Sequence, residues 1–111
     1  MDANTKLKLV EDHAKLYYGT RYYFTDKGFV VYSREDKTLN IHDLYSDESP
    51  KAIRSIINFL TLYTDTYKIE DVLCEIRNDN PNFIKMYRLL INNDFTDVST
   101  DEEMTYFYRR L

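Results

Sequence analysis

The stretch SDESPKAIRSIINFL, Ser46 to Leu60, passes from a polar loop into a run with helical spacing, and a first piece of chemistry can sit at that junction. A helix start presents backbone N–H groups without intrahelical partners, at the positive end of the helix dipole. Together these hold phosphate or another anion. The candidates are Ser49, Lys51, Ala52 and Ile53, with Lys51 and Arg54 adding positive charge. Pro50 has no N–H to offer but suits the first helical position, with Ser49 as the cap. The same residues also make an ordinary helix start.

Proton-transfer chemistry has candidates in TLNIHDLY, where His42 could accept a proton directly at neutral pH and Asp43 could do so through a water, as could Glu75. Strict alternation along a strand sends His42 and Asp43 to opposite faces, so they are two separate candidates and not a His–Asp pair. Each also fits a plain polar position on a sheet face. His13 has no neighbour in sequence that would make it a ligand, and Cys74 has no local base to activate it. As the one cysteine it forms no internal disulfide, and no Cys/His spacing points to zinc.

The elements that must position these residues are legible from periodicity. Ala3, Leu7, Val10, Ala14 and Tyr17 predict an amphipathic first helix ending near Gly19. TRYYFTD, GFVVYSR and TLNIHDLY predict three antiparallel strands, with turns at Asp26–Gly28 and Arg34–Lys37. Ile53, Ile56, Ile57 and Leu60 fall at helical spacing and predict a second helix from Pro50. DVLCEIRN is the apolar run of a central strand, parallel to an earlier one because a whole helix separates them. Asn80 as cap and Pro81 as first residue predict a third helix, with Phe83, Met86, Tyr87 and Leu90 on its apolar face. DFTDV and MTYFYRRL close the chain as a hairpin around an acidic turn at Ser99–Glu103.

Composition narrows the function class. At 111 residues, 43% hydrophobic and 31% charged, residues 1–111 make a single globular domain. A net charge of −4 with scattered cations gives no field for nucleic acid. No run approaches the ~20 apolar residues of a membrane span. MDANTKLKLVEDHAK lacks the apolar centre of a secretion signal. The expectation is a soluble cytoplasmic protein without nucleic-acid, membrane or metal partners.

The element order α-β-β-β-α-β-α-β-β resembles the GNAT superfamily of N-acetyltransferases, an α+β fold with a mixed sheet, from that family's second helix onward. In this resemblance the family's first strand and first helix are missing or collapsed. The resemblance implies that the loop opening the second helix holds the pyrophosphate of acetyl-CoA. The family's R/Q-x-x-G-x-G/A positions are filled here by Glu48, Ser49, Pro50, Lys51, Ala52 and Ile53, none of them glycine. It further implies a thioester carbonyl held by a backbone N–H near Leu44 or Tyr45, and a base at His42 or Asp43 for the acceptor amine. Asn80 and Tyr87 have the family's seven-residue spacing of a ligand-binding Asn and a Tyr that protonates the departing thiolate. A phenol with pKa near 10 suits that role.

Two functional expectations follow. The first is an acetyl-CoA-dependent N-acetyltransferase acting on a small-molecule or protein amine. The second is a GNAT-shaped protein without this chemistry that binds another protein, of the kind a virus uses as a virion component or inhibitor, found in host cytoplasm or virion. The missing glycines favour the second and the Asn80–Tyr87 spacing the first. The sheet edge left by the absent first strand is a natural pairing surface, so a homodimer is expected.

Overall fold

Aromatic and β-branched residues between positions 21 and 46 fold as a meander of three strands: β1 (Arg21–Thr25), β2 (Gly28–Glu35) and β3 (Thr38–Ser46). Helix α1 (Pro50–Thr66) crosses to β4 (Asp71–Arg77), and α2 (Phe83–Asn92) leads to the hairpin β5 (Thr96–Thr100) and β6 (Met104–Arg110). The computed structural model describes residues 4, 5, 7, 8, 11, 20–25, 27–46, 50–81 and 83–111. Asn4, Thr5, Leu7, Lys8 and Glu11 have helical backbone. The rest of the expected first helix lies outside the described residues, as do residues 47–49, which include Glu48 and Ser49.

The sheet order is β1-β2-β3-β4-β6-β5, antiparallel throughout except for the central β3–β4 pair, which is parallel as the intervening helix requires. That pair is short: Thr38↔Asp71, Leu39↔Val72, Asn40↔Leu73 and Ile41↔Cys74. Beyond it β3 continues to Ser46 and β4 to Arg77 without facing one another in the ladder, so a cleft opens between their carboxyl-terminal halves. The closed end is tied by Asp71, which accepts from Thr38 Oγ1 and, at 3.2 Å, from the Tyr108 hydroxyl.

One face of the sheet carries both helices. Val30, Tyr32, Leu39, Ile41, Leu44, Val72, Cys74, Ile76 and Phe107 are buried there with Ile56 of α1 and Met86 and Leu90 of α2. The opposite face has its own small cluster of Phe29, Val31 and Tyr45. The two patterns coexist on β3 because the ladder slips by one residue: Tyr32 faces Ile41 and Val31 faces Asp43, leaving His42 as the extra residue of a β-bulge. After the bulge the alternation changes phase, so Leu39, Ile41 and Leu44 share the helix side although 41 and 44 differ by three.

Among the described residues, three non-glycine positions have left-handed backbone, Asp36 (φ 54°), Lys68 (φ 54°) and Asp94 (φ 68°), in a chain with only two glycines. Asp36 lies in the two-residue turn of the β2–β3 hairpin, which is tighter than Arg34–Lys37 because β2 runs on to Glu35. Lys68 and Asp94 end the two helices, where Ile69 N donates to Thr64 O and Phe95 N to Leu90 O, both at 3.0 Å. These are the bonds of a glycine-type C-cap made without glycine.

Gly28 serves space instead of dihedral freedom. A Cβ there would lie 2.6 Å from the Tyr45 carbonyl oxygen and 3.1 Å from Ile56 Cδ1. Backbone crowding of this kind cannot be relieved by a rotamer change, so Gly28→Ala is expected to destabilise the protein by about 1–3 kcal/mol. The check is the urea midpoint at constant m-value; an unchanged midpoint would refute the close approach.

Candidate functional site

The cleft brings together the carboxyl-terminal ends of β3 and β4, from which α1 and α2 respectively depart. Ligands of open α/β sheets bind outside the carboxyl ends of parallel strands, because the helix amino termini converge there. Leu44 is the cleft's central residue. Its N–H donates to Asp43 Oδ1 at 2.9 Å and its carbonyl accepts from Asn80 Nδ2 at 3.0 Å, so both backbone groups turn away from β2. Asn80 therefore reaches from the β4–α2 loop across the mouth of the cleft. The helix starts two residues later than Pro81, at Phe83.

Tyr45 does not share this orientation. Its carbonyl oxygen lies beside Gly28 of β2, and antiparallel pairing alternates the direction of successive backbone groups, so the Tyr45 N–H belongs to the β2 side. Of the two amides expected to hold a carbonyl oxygen, only that of Leu44 faces the cleft. The Tyr45 ring stacks on Phe29, centroids 5.7 Å apart.

His42 and Asp43 lie on the same face, against the expectation from strict alternation. His42 Nε2 is 2.7 Å from Ser33 Oγ. Asp43 pairs with Val31, two residues from Ser33 and therefore on its side of the sheet. The bulge is the reason: two residues of β3 oppose one of β2, and both side chains emerge on one side. Burial lowers the His42 pKa, keeping the ring neutral at pH 7.

Asp43 is only 4% exposed, and burial pushes its carboxyl up from 3.8 to about 6. The Arg77 guanidinium and the Leu44 N–H pull it back down, and Asp79 pushes it up again. At 3.8 Å from Nε to Oδ2, the Arg77 contact is too long to offset the lost hydration. Half-buried Glu75 is also raised, first by burial and then by the negative charges of Asp43 and Asp101. Phe29, Asp43, Tyr45, Arg77, Asp79 and Asn80 line a cavity of about 150 Å³ on this face.

The remaining candidates are more dispersed. Ala52 is 4% exposed and packs into the core, and Ile53 is half-buried. Lys51 and Arg54 are exposed and line a groove beside Tyr23, on the β1 side of α1. The Tyr87 ring meets Phe107 edge-on at 5.6 Å, and its hydroxyl donates to Asp97 Oδ2 at 3.0 Å. Because β5 is the far edge strand, this bond holds the hydroxyl two strands away from the cleft. The Asp97 carboxylate also raises the Tyr87 pKa. Arg77 and Asp79 were missed in the sequence. Period-2 alternation from Glu75 would have found Arg77 on the same face, whereas Asp79 sits in a turn that no pattern marks. Among the described residues no group of three or more His, Cys, Asp or Glu is placed to hold a metal. No helix among them is long and apolar enough to cross a membrane.

The raised Asp43 carboxyl gives a pH signature. Between about pH 4 and 6 the unfolded chain ionises this group while the folded chain keeps its proton, so stability falls as pH rises through that window. Glu75 acts in the same sense and His42 in the opposite one, so the difference from Asp43→Asn isolates the effect. Relative to that variant, the wild type is expected to lose roughly 2–3 kcal/mol between pH 4 and 7, read from denaturant melts. Parallel curves for the two proteins would contradict it.

No protein-family model and no curated protein matches the chain. Solved structures do. The N-acetyltransferase PseH of Campylobacter jejuni, in complex with acetyl coenzyme A, superposes with a TM-score of 0.61 over 96% of this chain and 83% of its own, at 19% identity. The PaiA N-acetyltransferase of Thermoplasma acidophilum, in complex with coenzyme A, gives 0.64 over 98% and 72%, at 14% identity. An acetyltransferase of the GNAT family from Staphylococcus aureus gives 0.64 over 100% and 80%, at 13% identity. The likeness is one of fold: the chain is α+β with a GNAT-like mixed sheet, in agreement with the element order read from the sequence.

Proposed function

We propose that this GNAT-like fold serves an acyl-CoA-dependent N-acyltransferase, with acetyl-CoA or a related acyl-CoA as donor and an amine as acceptor. The observation that carries the reading is the cleft, into which Leu44 turns both backbone groups. A pantetheine arm is an extended chain with amide N–H and C=O groups, the form that a free strand edge pairs with. The present partners of Leu44 are side chains of Asp43 and Asn80, which can yield to such a ligand, so the residues fit the donor.

In this reading Asn80 and the Leu44 carbonyl hold the arm, and the Leu44 N–H polarises the acyl oxygen once Asp43 releases it. The first-turn amides of Lys51, Ala52 and Ile53, with Ser49, form the anion site, and Lys51 and Arg54 supply its charge. Bound acyl-CoA contributes an activated thioester. Asp43 takes the proton of the amine, directly or through a water, as nitrogen bonds to the acyl carbon and the carbon–sulfur bond breaks. A carboxyl near 6 is ionised at neutral pH yet more basic than an ordinary Asp, which suits a general base. His42, neutral on the same face, is the alternative acceptor. Tyr87 protonates the departing thiolate in this scheme only if its hydroxyl first leaves Asp97.

Two features favour a second reading, a GNAT-shaped protein that binds a protein partner without acyl transfer. Asp43 and Asn80 already satisfy the Leu44 backbone groups, and Pro50 removes a donor from the turn that would hold phosphate. Isothermal titration with acetyl-CoA separates the two. The transferase reading expects a Kd on the order of tens of micromolar or below, weakened at least about fivefold by Lys51→Glu. Absence of heat and of any melting shift at millimolar acetyl-CoA would leave the binding protein.

A further inference from the structure

Protein interiors are packed to crystal-like density, so an apolar cavity beside a candidate ligand site is itself an observation. One runs between α1 and α2 on the helix-bearing face, with a volume of about 120 Å³. Its walls include Leu39, Ile41, Leu44, Leu60, Val72 and Leu90. Ile41 is the last β3 residue paired to β4, and Leu44 is the residue whose backbone faces the cleft. Ile41 and Leu44 therefore border both the cleft and the cavity. From there the cavity follows the paired part of the ladder to Arg109 and Leu111 at the opposite end of the sheet.

We propose that this cavity is an acyl-chain pocket, and that the donor carries a linear acyl group of about five or six carbons in preference to acetyl. The inference rests on the transferase reading and goes beyond it by naming the donor class. An acyl carbon held at the Leu44 N–H lies inside the cleft, and the β3–β4 ladder that starts at Ile41 limits its further advance within the sheet plane. A longer chain has to leave the plane there. On the helix face it meets the apolar walls of Ile41 and Leu44. On the opposite face it meets Asp43 and Arg77, which would lose hydration to an alkyl chain.

Size sets the length. An engineered apolar cavity of about 150 Å³ holds benzene, so 120 Å³ corresponds to roughly four or five carbons beyond the carbonyl. The one charged residue of the lining, Arg109, stands at the far end, which sets an apolar limit to the chain. Each methylene transferred from water to such a site tightens binding by about fourfold before ordering costs.

The test is isothermal titration of the full chain with coenzyme A, acetyl-CoA, hexanoyl-CoA and dodecanoyl-CoA. The expected result is hexanoyl-CoA at least about tenfold tighter than acetyl-CoA, with no further gain for dodecanoyl-CoA. Leu60→Trp, which fills the cavity from α1, is expected to cut the hexanoyl-to-acetyl affinity ratio at least about fivefold. Circular dichroism checks that the variant is folded. Thr61→Trp at the exposed rim provides a second, milder block with the same expected direction. Equal affinity for acetyl- and hexanoyl-CoA, or a ratio unmoved by both tryptophans, overturns the pocket and leaves the transferase reading standing. If none of the four ligands binds, the transferase reading falls and the pocket falls with it.

Discussion

Four residue pairs hold β3 to β4, and most of what is specific to this structure depends on that short parallel ladder. A parallel pair obliges the chain to cross over, so α1 must lie against the sheet and bring its amino terminus to the same end as that of α2. Because pairing stops at Ile41 and Cys74, the backbone groups beyond it need other partners. The chain meets that need with side chains from Asp43 and Asn80, which hold the cleft without filling it with strand. Ile41, where the ladder ends, is also a wall of the apolar space between the helices. Anchoring by Asp71, through Thr38 and Tyr108, keeps the closed end shut while the other end splays.

Electrostatics at the cleft run against stability. A carboxyl as buried as Asp43, with its guanidinium partner at 3.8 Å, loses more hydration than the contact restores. Nothing in the packing demands a charged residue there; Asn would serve the bond to the Leu44 N–H equally well. Groups held in unfavourable environments cluster where chemistry is done, because the same burial that destabilises a carboxylate makes it a stronger base. The neutral His42 ring on the same face belongs to this pattern.

Much of the fold was legible in the residues. The spacing of Ile53, Ile56, Ile57 and Leu60, the Pro at position 50, and the unbroken apolar run at 72–74 predicted the crossover and its parallel partner. Turns were harder to place because glycine, the usual marker of left-handed backbone, is nearly absent, and Asp36, Lys68 and Asp94 take those positions instead. The site was legible as residue types but less so as geometry. Asp43, Leu44 and Asn80 meet at the cleft, whereas Tyr87 was displaced by a bond to Asp97, a partner ten positions away that no local pattern indicates. The shared face of His42 and Asp43 was invisible for a different reason. A bulge depends on the register with the neighbouring strand, which a single strand's sequence does not encode.

That bulge also determines which genetic changes the protein can absorb. β3 behaves as two strands joined out of phase, with Leu39 and Ile41 in one frame and Leu44 and Ser46 in the other. Substitution at His42 would leave both frames intact. Deletion of the same single codon would remove the bulge and leave Ile41 opposite Tyr32 and Asp43 opposite Val31 in unbroken alternation, with Leu44 still on the helix side, whereas loss of any neighbouring residue of β3 would shift side chains to the wrong face. Position 42 is therefore the one place in this segment where length can change by a residue without moving a neighbour to the other face, and homologous chains should be aligned across it by frame before they are aligned by similarity.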